Sequence, residues 1–355
     1  MEDRPVLLRG ARILLVVASL IIVVAGLQAA AALLRPFLVS LFLSILSLPL
    51  LTGLQRLRIP RPISVLLTMT AVVLVFVGIG LLVGGSLNGF IEAAPRYRER
   101  LEQLGGLVSQ QLTQRGIDVR DLFDGQKLNL GVVFDFMTGS LLAIAAVLSN
   151  TVMVLLTMVF ILLEAAGFPD KLRLAFGRPE PALARFRAIT EEVQRYLAIK
   201  TMISLATGLV VTGWLWLLGV DFPLLWGLIA FVMNYIPNLG SILAAIPPVL
   251  LATVQIGIGR AIVVAIGYAV INISLGTLVE PQLMGRRLGL SPLVVFFSLV
   301  FWGWVWGPIG MLLSVPLTMI LKIMMENSVE FRWIAILLDD RAHPPEAAPP
   351  SSSEL

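Results

Sequence analysis

The residues best suited to chemistry lie in one short stretch of a long apolar run, between positions 234 and 248. The stretch contains two amides, a proline and a glycine: Asn234, Pro237, Asn238 and Gly240. Proline and glycine at membrane depth free backbone groups that lipid cannot satisfy, so this backbone must line protein or water. Neutral amides beside free carbonyl and amide groups suit a polyhydroxylated small molecule or a dehydrated alkali ion. The alternative is that the two asparagines only cap the ends of a broken helix.

A carboxylate supplies a second kind of chemistry. The seventh apolar segment carries polar or small residues at intervals of four: Tyr268, Asn272, Gly276 and Glu280. Residues at this spacing share one face of an α-helix. A carboxylate at the end of a membrane helix is unfavourable unless it faces protein or water, and it marks ion or proton pathways. We therefore expect Glu280 to be an ion-coupling or gating group, with Asn272 beside it. The alternative is an interfacial Glu280 paired with Arg286 or Arg287.

A second break in the helical pattern occurs at Pro308 and Gly310. We expect these two residues and Gln282 to complete the set of substrate-binding or gating candidates. Three tryptophans precede the break: Trp302, Trp304 and Trp306. They could form a stacking wall for a solute, whereas aromatic packing or an interfacial belt is the alternative.

Composition places these residues in a membrane protein. Of 355 residues, 58% are hydrophobic and only 14% are charged, and the mean hydropathy is +0.94. These values lie far outside the range of soluble domains. The net charge of +4 comes from short basic clusters between apolar segments, as the positive-inside rule expects for loops that face the cytoplasm. The sequence therefore predicts a polytopic membrane protein with a lipid bilayer around it and no nucleic-acid partner.

The residues that most enzymes use are scarce. The chain has no cysteine, and its single histidine, His343, lies in a proline-rich tail. Disulfides, thiolate metal sites and histidine-based triads are therefore excluded. No phosphate-binding loop of the Walker type is present, so transport would be driven by a gradient or facilitated. We predict no catalytic residues, no metal and no cofactor, and the protein is not expected to be an enzyme.

Apolar and polar stretches divide the chain into six regions. They are an N-terminal region of three spans (1–85), an extracytoplasmic amphipathic helical region (86–139), a fourth span (140–167), a cytoplasmic helical elbow (168–200), a transport core (201–326) and a cytoplasmic tail (327–355) that is disordered from about residue 339. A tight turn is expected at Arg35–Pro36, between the first two spans. Separate helices are expected at 97–112 in the external region and at 182–196 in the elbow.

The transport core contains an internal repeat. The first unit has Pro223, a run of apolar residues, Pro237, Gly240 and Pro247. The second has Pro292, a similar run, Pro308, Gly310 and Pro316, at nearly the same spacings. Each unit is longer than one span needs and shorter than two spans need, so each is interpreted as a re-entrant hairpin.

Charge supports this interpretation of the repeat. If both hairpins return to the side they entered, then Arg286, Arg287, Lys322 and Arg332 all fall inside. The fold class expected is therefore all-α and polytopic, with about eight hydrophobic segments forming six full spans and two re-entrant hairpins in an inverted repeat. Broken helices that meet near the midplane of such repeats hold the substrate in secondary transporters.

Three runs in the C-terminal half resemble one bacterial family. They are Phe231–Leu250 with N-Y-I-P-N-L-G, Val279–Pro292 with E-P-Q-L-M-G-R-R-L-G-L-S-P, and Phe301–Pro316 with W-G-W-V-W-G-P-I-G. Together they look like the autoinducer-2 exporter family of permeases. The N-terminal half matches that family in layout more than in distinctive residues.

The resemblance implies a function and an assembly. It implies a homo-oligomer in the bacterial inner membrane, with a pentamer suspected, that exports a small polar molecule such as an autoinducer-2-like signal. Both termini are expected in the cytoplasm. Members are also associated with sodium or lithium/proton antiport, which remains an alternative, as does an oligomeric channel.

The re-entrant repeat predicts accessibility at the two hairpin tips. Single cysteines at Leu239 and Ile309 should react with membrane-impermeant thiol reagents from opposite sides of the membrane, because the two units are inverted. Labelling in right-side-out and inside-out vesicles measures this, with the naturally cysteine-free chain as the blank. Reaction of both positions only with lipid-soluble reagents would contradict the hairpin interpretation.

Overall fold

The computed structural model describes residues 4–114, 151–165, 171, 180–284, 290–326 and 331–339. Every regular element in these ranges is a helix. In chain order they are α1 (Arg4–Ala29), α2 (Ala31–Arg56), α3 (Arg61–Gln114), α4 (Thr151–Ala165), α5 (Glu180–Leu217), α6 (Pro223–Met233), α7 (Leu239–Ile256), α8 (Ile258–Asn272), a π-helix (Ile273–Val279), α9 (Glu280–Met284), α10 (Pro292–Trp306), α11 (Pro308–Glu326) and α12 (Arg332–Leu338).

Six helical segments in the described ranges are long and apolar enough to cross a membrane. They are Ala31–Arg56, Arg61–Ala93, Thr190–Leu217, Leu239–Ile256, Ile258–Met284 and Pro308–Glu326. Shorter apolar helices cover Leu14–Ala29, Thr151–Ala165, Pro223–Met233 and Pro292–Trp306. The predicted all-helical polytopic membrane fold is confirmed.

Burial in these helices is arranged as a bilayer requires. Large apolar side chains such as Leu66 and Trp216 lie on the outside, where lipid would solvate them. Polar side chains such as Ser40, Thr68 and Asn234 are buried between helices. Hydroxyl groups inside a membrane helix are satisfied locally or by a neighbouring helix. Ser40 does both, because its hydroxyl contacts the carbonyl oxygens of Pro36 at 2.7 Å and of Val154 at 2.9 Å.

The turn predicted at Arg35–Pro36 is wrong. The helix α1 ends at Ala29, the chain turns at Ala30, and Pro36 lies inside α2. Membrane helices tolerate proline because neighbouring groups satisfy the backbone that it frees. Here proline was therefore a poorer marker of a helix end than it is in a soluble protein.

Two predicted helix boundaries are also absent. The third span and the start of the external region form one helix of 54 residues, α3, which passes through Pro95. The described part of the elbow and the fifth span likewise form one helix of 38 residues, α5. No proline or glycine separates position 196 from position 201, so the helix has no local reason to end there. The rest of the external region, the start of the fourth span and the predicted disordered tail beyond position 339 lie outside the described residues.

Each half of the predicted repeat folds as a pair of packed helices. The first pair is α6 and α7, joined through Asn238 at φ 60°, and the second is α10 and α11, joined through Gly307 at φ 69°. In both pairs a proline stands at the first helical position, where its missing N–H is not needed. The two pairs thus share a start signal and a residue of positive φ directly before the second helix, although five residues join the first pair and one residue joins the second.

A glycine contact is repeated in the two pairs. A methyl group on Gly240 would collide with the carbonyl oxygen of Met233 and lie 3.2 Å from the Cβ of Ile236. A methyl group on Gly310 would collide with the carbonyl oxygen of Trp302 and lie 3.1 Å from the Cβ of Trp306. In each pair the second helix therefore approaches the first across a bare glycine.

In each pair the first helix, called the first arm, is shorter than the second helix, called the second arm. The first arms have 11 residues in α6 and 15 in α10, about 16 and 22 Å, which is short of the roughly 30 Å of hydrocarbon. The second arms have 18 and 19 residues and rank among the candidate spans. The first arms fit a path that does not cross the bilayer by itself, and the re-entrant path of the whole unit stays a prediction.

The helix α5 is the centre of the C-terminal half. It packs against α6, α8, α9 and α11, and also against α2. Its closest approach is to α6, where a methyl group on Gly227 would collide with the hydroxyl of Thr212 and lie 2.6 Å from the carbonyl oxygen of Gly208. Small residues at such crossings bring membrane helices close together. The side chains on α5 are therefore held near both helical pairs.

We predict that Gly240→Ala and Gly310→Ala each destabilise the protein by about 1–3 kcal/mol, because the added methyl group must push a backbone carbonyl away. Gly53→Ala is the matched control, since a methyl group there meets nothing within 4 Å. It should be neutral or slightly stabilising in the interior of α2. Thermal unfolding of the detergent-solubilised variants measures the difference, and equal midpoints for all three would contradict the packing described.

Candidate functional site

Three polar side chains on one turn of α5 define the candidate site. Lys200 and Ser204 lie four residues apart and share a face, and Thr201 is adjacent. Lys200 and Ser204 are buried, and Thr201 is half-buried. Each of them contacts a different polar residue from another element. These three residues and their partners Glu280, Asn234 and Tyr235 are called the polar cluster.

The strongest contact in the polar cluster is an ion pair. The Nζ of Lys200 lies 2.6 Å from Oε1 of Glu280, and the two side chains are 5% and 18% exposed. Burying charges is unfavourable by several kcal/mol per ion unless they are paired, as these are. The pair joins α5 to the residue that follows the π-helix.

An apolar layer lies beside this ion pair. Tyr196, one turn before Lys200, is buried against Leu197, Met284 and Met319. These residues belong to α5, α9 and α11. The pair is thus enclosed where three helices meet, and the low polarity of its surroundings strengthens the attraction between the two charges.

Two hydrogen bonds connect α5 to the end of α6. The amide Nδ2 of Asn234 donates to Oγ of Ser204 at 3.0 Å. The hydroxyl of Tyr235 donates to Oγ1 of Thr201 at 2.7 Å, and its ring meets that of Phe42 edge-on with centroids 6.0 Å apart. The amide predicted to bind solute is therefore held against α5.

The other predicted residues of the first tip lie around this contact. Pro237 is half-buried, Asn238 is exposed and Gly240 is buried. Asn238 occupies the N-cap of α7 but makes no side-chain capping hydrogen bond, so the capping alternative does not describe it. Its backbone has a positive φ of 60°, which asparagine adopts more often than most other non-glycine residues.

The second tip is built differently. Pro308 is exposed and Gly310 is buried. The rings of Trp302 and Trp306 stack with centroids 4.8 Å apart, Trp302 Nε1 donates to Thr318 at 3.1 Å, and Trp306 Nε1 donates to the carbonyl oxygen of Leu27 at 3.2 Å. Two of the three predicted tryptophans thus fasten the second pair to itself and to α1, as the packing alternative expects.

The stripe predicted on the seventh segment is interrupted. The helix α8 ends at Asn272, which is half-buried, and seven residues of π-helix separate it from Glu280. A π-helix is wider than an α-helix, so residues four apart no longer lie above one another. Gln282 is exposed. The structure joins Glu280 to α5, and the alternative partners Arg286 and Arg287 lie outside the described residues.

Sequence reasoning missed Lys200, Thr201, Ser204 and Tyr235. Lys200 is the last residue of the predicted elbow (168–200) and closes a row of basic residues there. Its immediate neighbours carried a different signal, since Leu197, Ile199 and Met202 are all apolar. A lysine in such a context needs a partner. The partner could not be identified because it lies 80 residues away.

A second polar network fastens the base of the first pair to α3. The hydroxyl of Tyr97 donates to Oδ2 of Asp221 at 2.5 Å. The amide of Gln255 accepts from the backbone N–H of Asp221 at 3.0 Å and donates to the carbonyl oxygen of Gly219 at 3.1 Å. Arg100 donates to the carbonyl oxygen of Gln255 at 3.2 Å. Both ends of the α6–α7 pair are therefore tied to the part of α3 that follows its apolar segment.

Burial, and then the hydrogen bond to Asp221, raise the pKa of the Tyr97 phenol well above its usual value. The phenol consequently stays protonated and donates its hydrogen bond throughout the physiological pH range. The ring of Tyr97 lies beside that of Phe90, with centroids 6.4 Å apart, and Phe90 meets the rings of Phe222 and Trp226 edge-on at 5.9 and 6.1 Å. We call Tyr97, Asp221, Gln255 and Arg100 the brace.

A third group of charges lies at the end of α11. The ammonium of buried Lys322 lies 3.2 Å from Oδ2 of Asp339 and 3.4 Å from Oε1 of Glu326. The backbone N–H of Ser291 donates to the carbonyl oxygen of Leu338 at 3.1 Å. These contacts hold the short helix α12 against the second pair.

An apolar cavity of about 410 Å³ lies between α5 and α8, away from the polar cluster. It is lined by Val210, Gly213, Trp214, Leu217, Val263, Ile266, Gly267, Val270 and Ile271. The indole of Trp214 lies directly over Gly267, where a methyl group would collide with it. Several lining residues face outward, so hydrocarbon chains can fill this cavity.

The described ranges contain no candidate metal-binding site. No three His, Cys, Asp or Glu residues there lie close enough together to hold a metal ion. The polar cluster instead offers one carboxylate, one ammonium, an amide and three hydroxyl groups. This set can bind a small polar solute by hydrogen bonds or a monovalent cation through oxygen atoms.

Comparisons with known proteins agree over nearly the whole chain. The model of one protein family, described as AI-2E family transporter, matches residues 15–330. The chain is 39% identical over 333 residues to the AI-2 transport protein TqsA of Escherichia coli strain K12, covering 94% of this chain and 97% of that protein. It is 36% identical over 340 residues to a putative transport protein of Haemophilus influenzae, covering 93% and 96%. It is 34% identical over 329 residues to the putative transport protein YhhT of E. coli K12, covering 93% and 94%.

The brace predicts a stability contribution with a defined pH dependence. Tyr97→Phe should lower the free energy of unfolding by about 1 kcal/mol, because it removes a hydrogen bond to a carboxylate that is itself exposed. A phenol whose folded pKa is raised stabilises the protein fully below its unfolded pKa of about 10, and the contribution is lost as the pH rises through the folded value.

The difference between wild type and Tyr97→Phe should therefore be constant from neutral pH to about pH 9 and shrink at higher pH. Thermal unfolding in detergent, from neutral pH to above the unfolded pKa of about 10, measures this difference. Thr70→Ala is the comparison variant, since it removes an exposed hydroxyl that does not titrate, so its difference from the wild type should not change with pH. A difference that grew with rising pH would contradict the assignment.

Proposed function

The chain belongs to the AI-2E transporter family, and we propose on that basis that it exports a small polar solute across the bacterial inner membrane. The solute class we favour is that of an autoinducer-2-like signal molecule, since the relative TqsA is named for AI-2 transport. Movement is driven by a gradient or facilitated. As a multi-pass membrane transporter, the protein is proposed to act without catalysis, metal or cofactor.

The polar cluster is the observation that carries this proposal. A chain with 58% hydrophobic residues places an ion pair and two side-chain hydrogen bonds around one turn of α5, at the break of a helical pair. Polar residues inside a membrane protein are unfavourable and mark substrate or ion paths. The amide and the three hydroxyl groups of this cluster match a solute that carries several hydroxyl groups.

The proposed path lies between the two helical pairs. Asn234, Pro237, Asn238 and Gly240 form its wall on the first pair, with Pro308 and Gly310 opposite them on the second. Asn272, Glu280 and Gln282 would lie along the segment that connects the two pairs. Short first arms, of 11 and 15 residues, support re-entrant hairpins whose tips meet at this path.

A sodium or lithium/proton antiporter is the second candidate. The Lys200–Glu280 ion pair favours it, because a buried carboxylate is the group that an alkali ion or a proton would occupy. An oligomeric channel is the third candidate, and a homo-oligomer, with a pentamer suspected, is proposed for all three. The termini are proposed to be cytoplasmic because the basic loops would then lie inside.

Flux measurements in liposomes test these candidates against one another. Purified protein is reconstituted, and the efflux of labelled polyhydroxylated solutes, sodium and lithium is measured with and without proton and sodium gradients. We expect solute flux that saturates with concentration. Linear flux without dependence on any gradient would favour the channel, and ion exchange without solute flux would favour the antiporter.

We predict that Glu280→Gln abolishes the dependence of flux on the ion gradient and leaves assembly intact. The neutral amide keeps the size of the side chain and removes the charge that couples the ion. Size-exclusion chromatography checks assembly. Glu164→Gln is the control, because Glu164 is 57% exposed in its ion pair with Lys171. Gradient-dependent flux of unchanged size in Glu280→Gln would remove this residue from the mechanism.

A further inference from the structure

The partner of Glu280 leads to an inference that rests on the proposed function and goes further. We propose that Lys200 is a tethered cation that neutralises Glu280 when the transporter is empty, and that the coupled monovalent cation displaces it. The carboxylate would then always be paired, either with the ammonium of Lys200 or with the arriving ion. Lys200 thereby sets the cation concentration at which the transporter responds.

The geometry of the pair favours exchange between an internal and an external cation. A carboxylate that is 18% exposed and an ammonium that is 5% exposed lie 2.6 Å apart among apolar residues. Loss of the ammonium alone would leave a nearly buried negative charge, which is strongly unfavourable. Any species that replaces the ammonium must therefore be positively charged, which selects for cations.

The surroundings of the pair supply oxygen ligands. Thr201 and Ser204 carry hydroxyl groups within one turn of Lys200, and each is hydrogen-bonded to a further polar side chain, the phenol of Tyr235 and the amide of Asn234. Hard cations prefer oxygen ligands, and these residues carry no charge that would compete with Glu280 for the cation. An alkali ion or a proton at Glu280 uses the same carboxylate, so the two differ only in how many of these oxygens participate.

An exposed charged residue lies near Lys200 on the same helix. Arg195 is exposed and lies five residues earlier on α5, about 7 Å along the helix axis. A lysine side chain has a long flexible stem that carries its ammonium toward an aqueous boundary. Of the charged groups on helices packed against α5, Lys322 on α11 is engaged by Asp339 and Glu326. The phenols near the pair are Tyr196 and Tyr235.

The π-helix is consistent with a movable carboxylate. Its seven residues end at Val279, directly before Glu280. Such segments are rare and occur frequently at functional sites, where a change in hydrogen-bond register rotates the residues that follow. Glu280 is therefore attached to a part of the helix that can adjust when its partner changes.

The chain contains a matched control for this ion pair. Lys171 Nζ lies 2.7 Å from Oε1 of Glu164, nearly the separation found in the buried pair. The two side chains are 64% and 57% exposed, so water can replace either partner. The two pairs share chemistry and distance and differ in burial.

The experiment measures cation binding without transport. The midpoint of thermal unfolding is recorded for full-length protein in detergent against sodium chloride, lithium chloride and choline chloride at constant ionic strength, and against pH in choline chloride. A ligand that binds the folded state raises the midpoint with its concentration, which gives the half-saturating concentration. The sodium and lithium series identify an alkali ion, and the pH series identifies a proton.

Two substitutions of Lys200 should shift this concentration in opposite directions. Lys200→Met removes the competitor and should lower the half-saturating concentration about tenfold or more, the size of effect that a modest loss of competing attraction produces. Lys200→Arg should raise it, because a guanidinium holds a carboxylate through two parallel hydrogen bonds. Glu280→Gln should abolish the response, and Lys171→Met should match the wild type.

The outcomes separate a tethered cation from a static support. Identical half-saturating concentrations in wild type, Lys200→Met and Lys200→Arg would overturn the proposal. A wild type that responds to neither sodium, lithium nor protons would also overturn it. If Lys200→Met does not yield folded protein, the upward shift in Lys200→Arg decides. Solute flux of the wild type is measured separately. If the protein responds to cations but shows no solute flux, the proposed solute transport is contradicted and the proposed role of Lys200 is not.

Discussion

Backbone groups inside a bilayer have no water to bond with, and this constraint shapes the C-terminal half of the protein. Wherever a helix is broken, another element must be close enough to occupy the gap. At the break after α6 the N–H groups of Tyr235 and Ile236 donate to the carbonyl oxygens of Val232 and Met233, and the side chains of Asn234 and Tyr235 fasten the break to α5. At the break after α10 the N–H of Gly307 donates to the carbonyl oxygen of Gly303, and stacked tryptophans bond to α11 and α1. Two similar pairs of helices are thus stabilised by different chemistry, one polar and one aromatic.

The helix α5 contacts both helical pairs, through α6 and α11. Its glycine-lined crossing with α6 brings the first pair near, and a few turns away its lysine holds Glu280. A movement of the segment after the π-helix would therefore be felt by α5, and through Ser204 and Thr201 by the first pair. The polar cluster is therefore a connection between Glu280 and the first pair. In the proposed mechanism, ion occupancy at Glu280 would be linked to the position of the first pair through this one turn of helix.

Much of this organisation was predictable from the sequence, because membrane helices are encoded by long-range composition. The fold class and the helix breaks near Pro237 and Pro308 follow from apolar length and from residues that lipid does not accept, while the roles of Asn234 and Glu280 stay predictions. Helix boundaries were less predictable, since Pro36 and Pro95 lie inside continuous helices. The partners of Glu280 and Asn234 were not predictable, because 80 and 30 residues separate them from Lys200 and Ser204. Such contacts depend on how helices pack, which local periodicity does not encode.

The length of α3 has a mechanical consequence. At 54 residues the helix is about 80 Å long, more than twice the thickness of the hydrocarbon layer. The brace grips it just beyond the apolar segment, at Tyr97 and Arg100. Beyond Tyr97 the helix continues to Gln114, which is about 25 Å further along its axis. An element that binds this outer part would therefore be connected, through the brace, to the base of the α6–α7 pair.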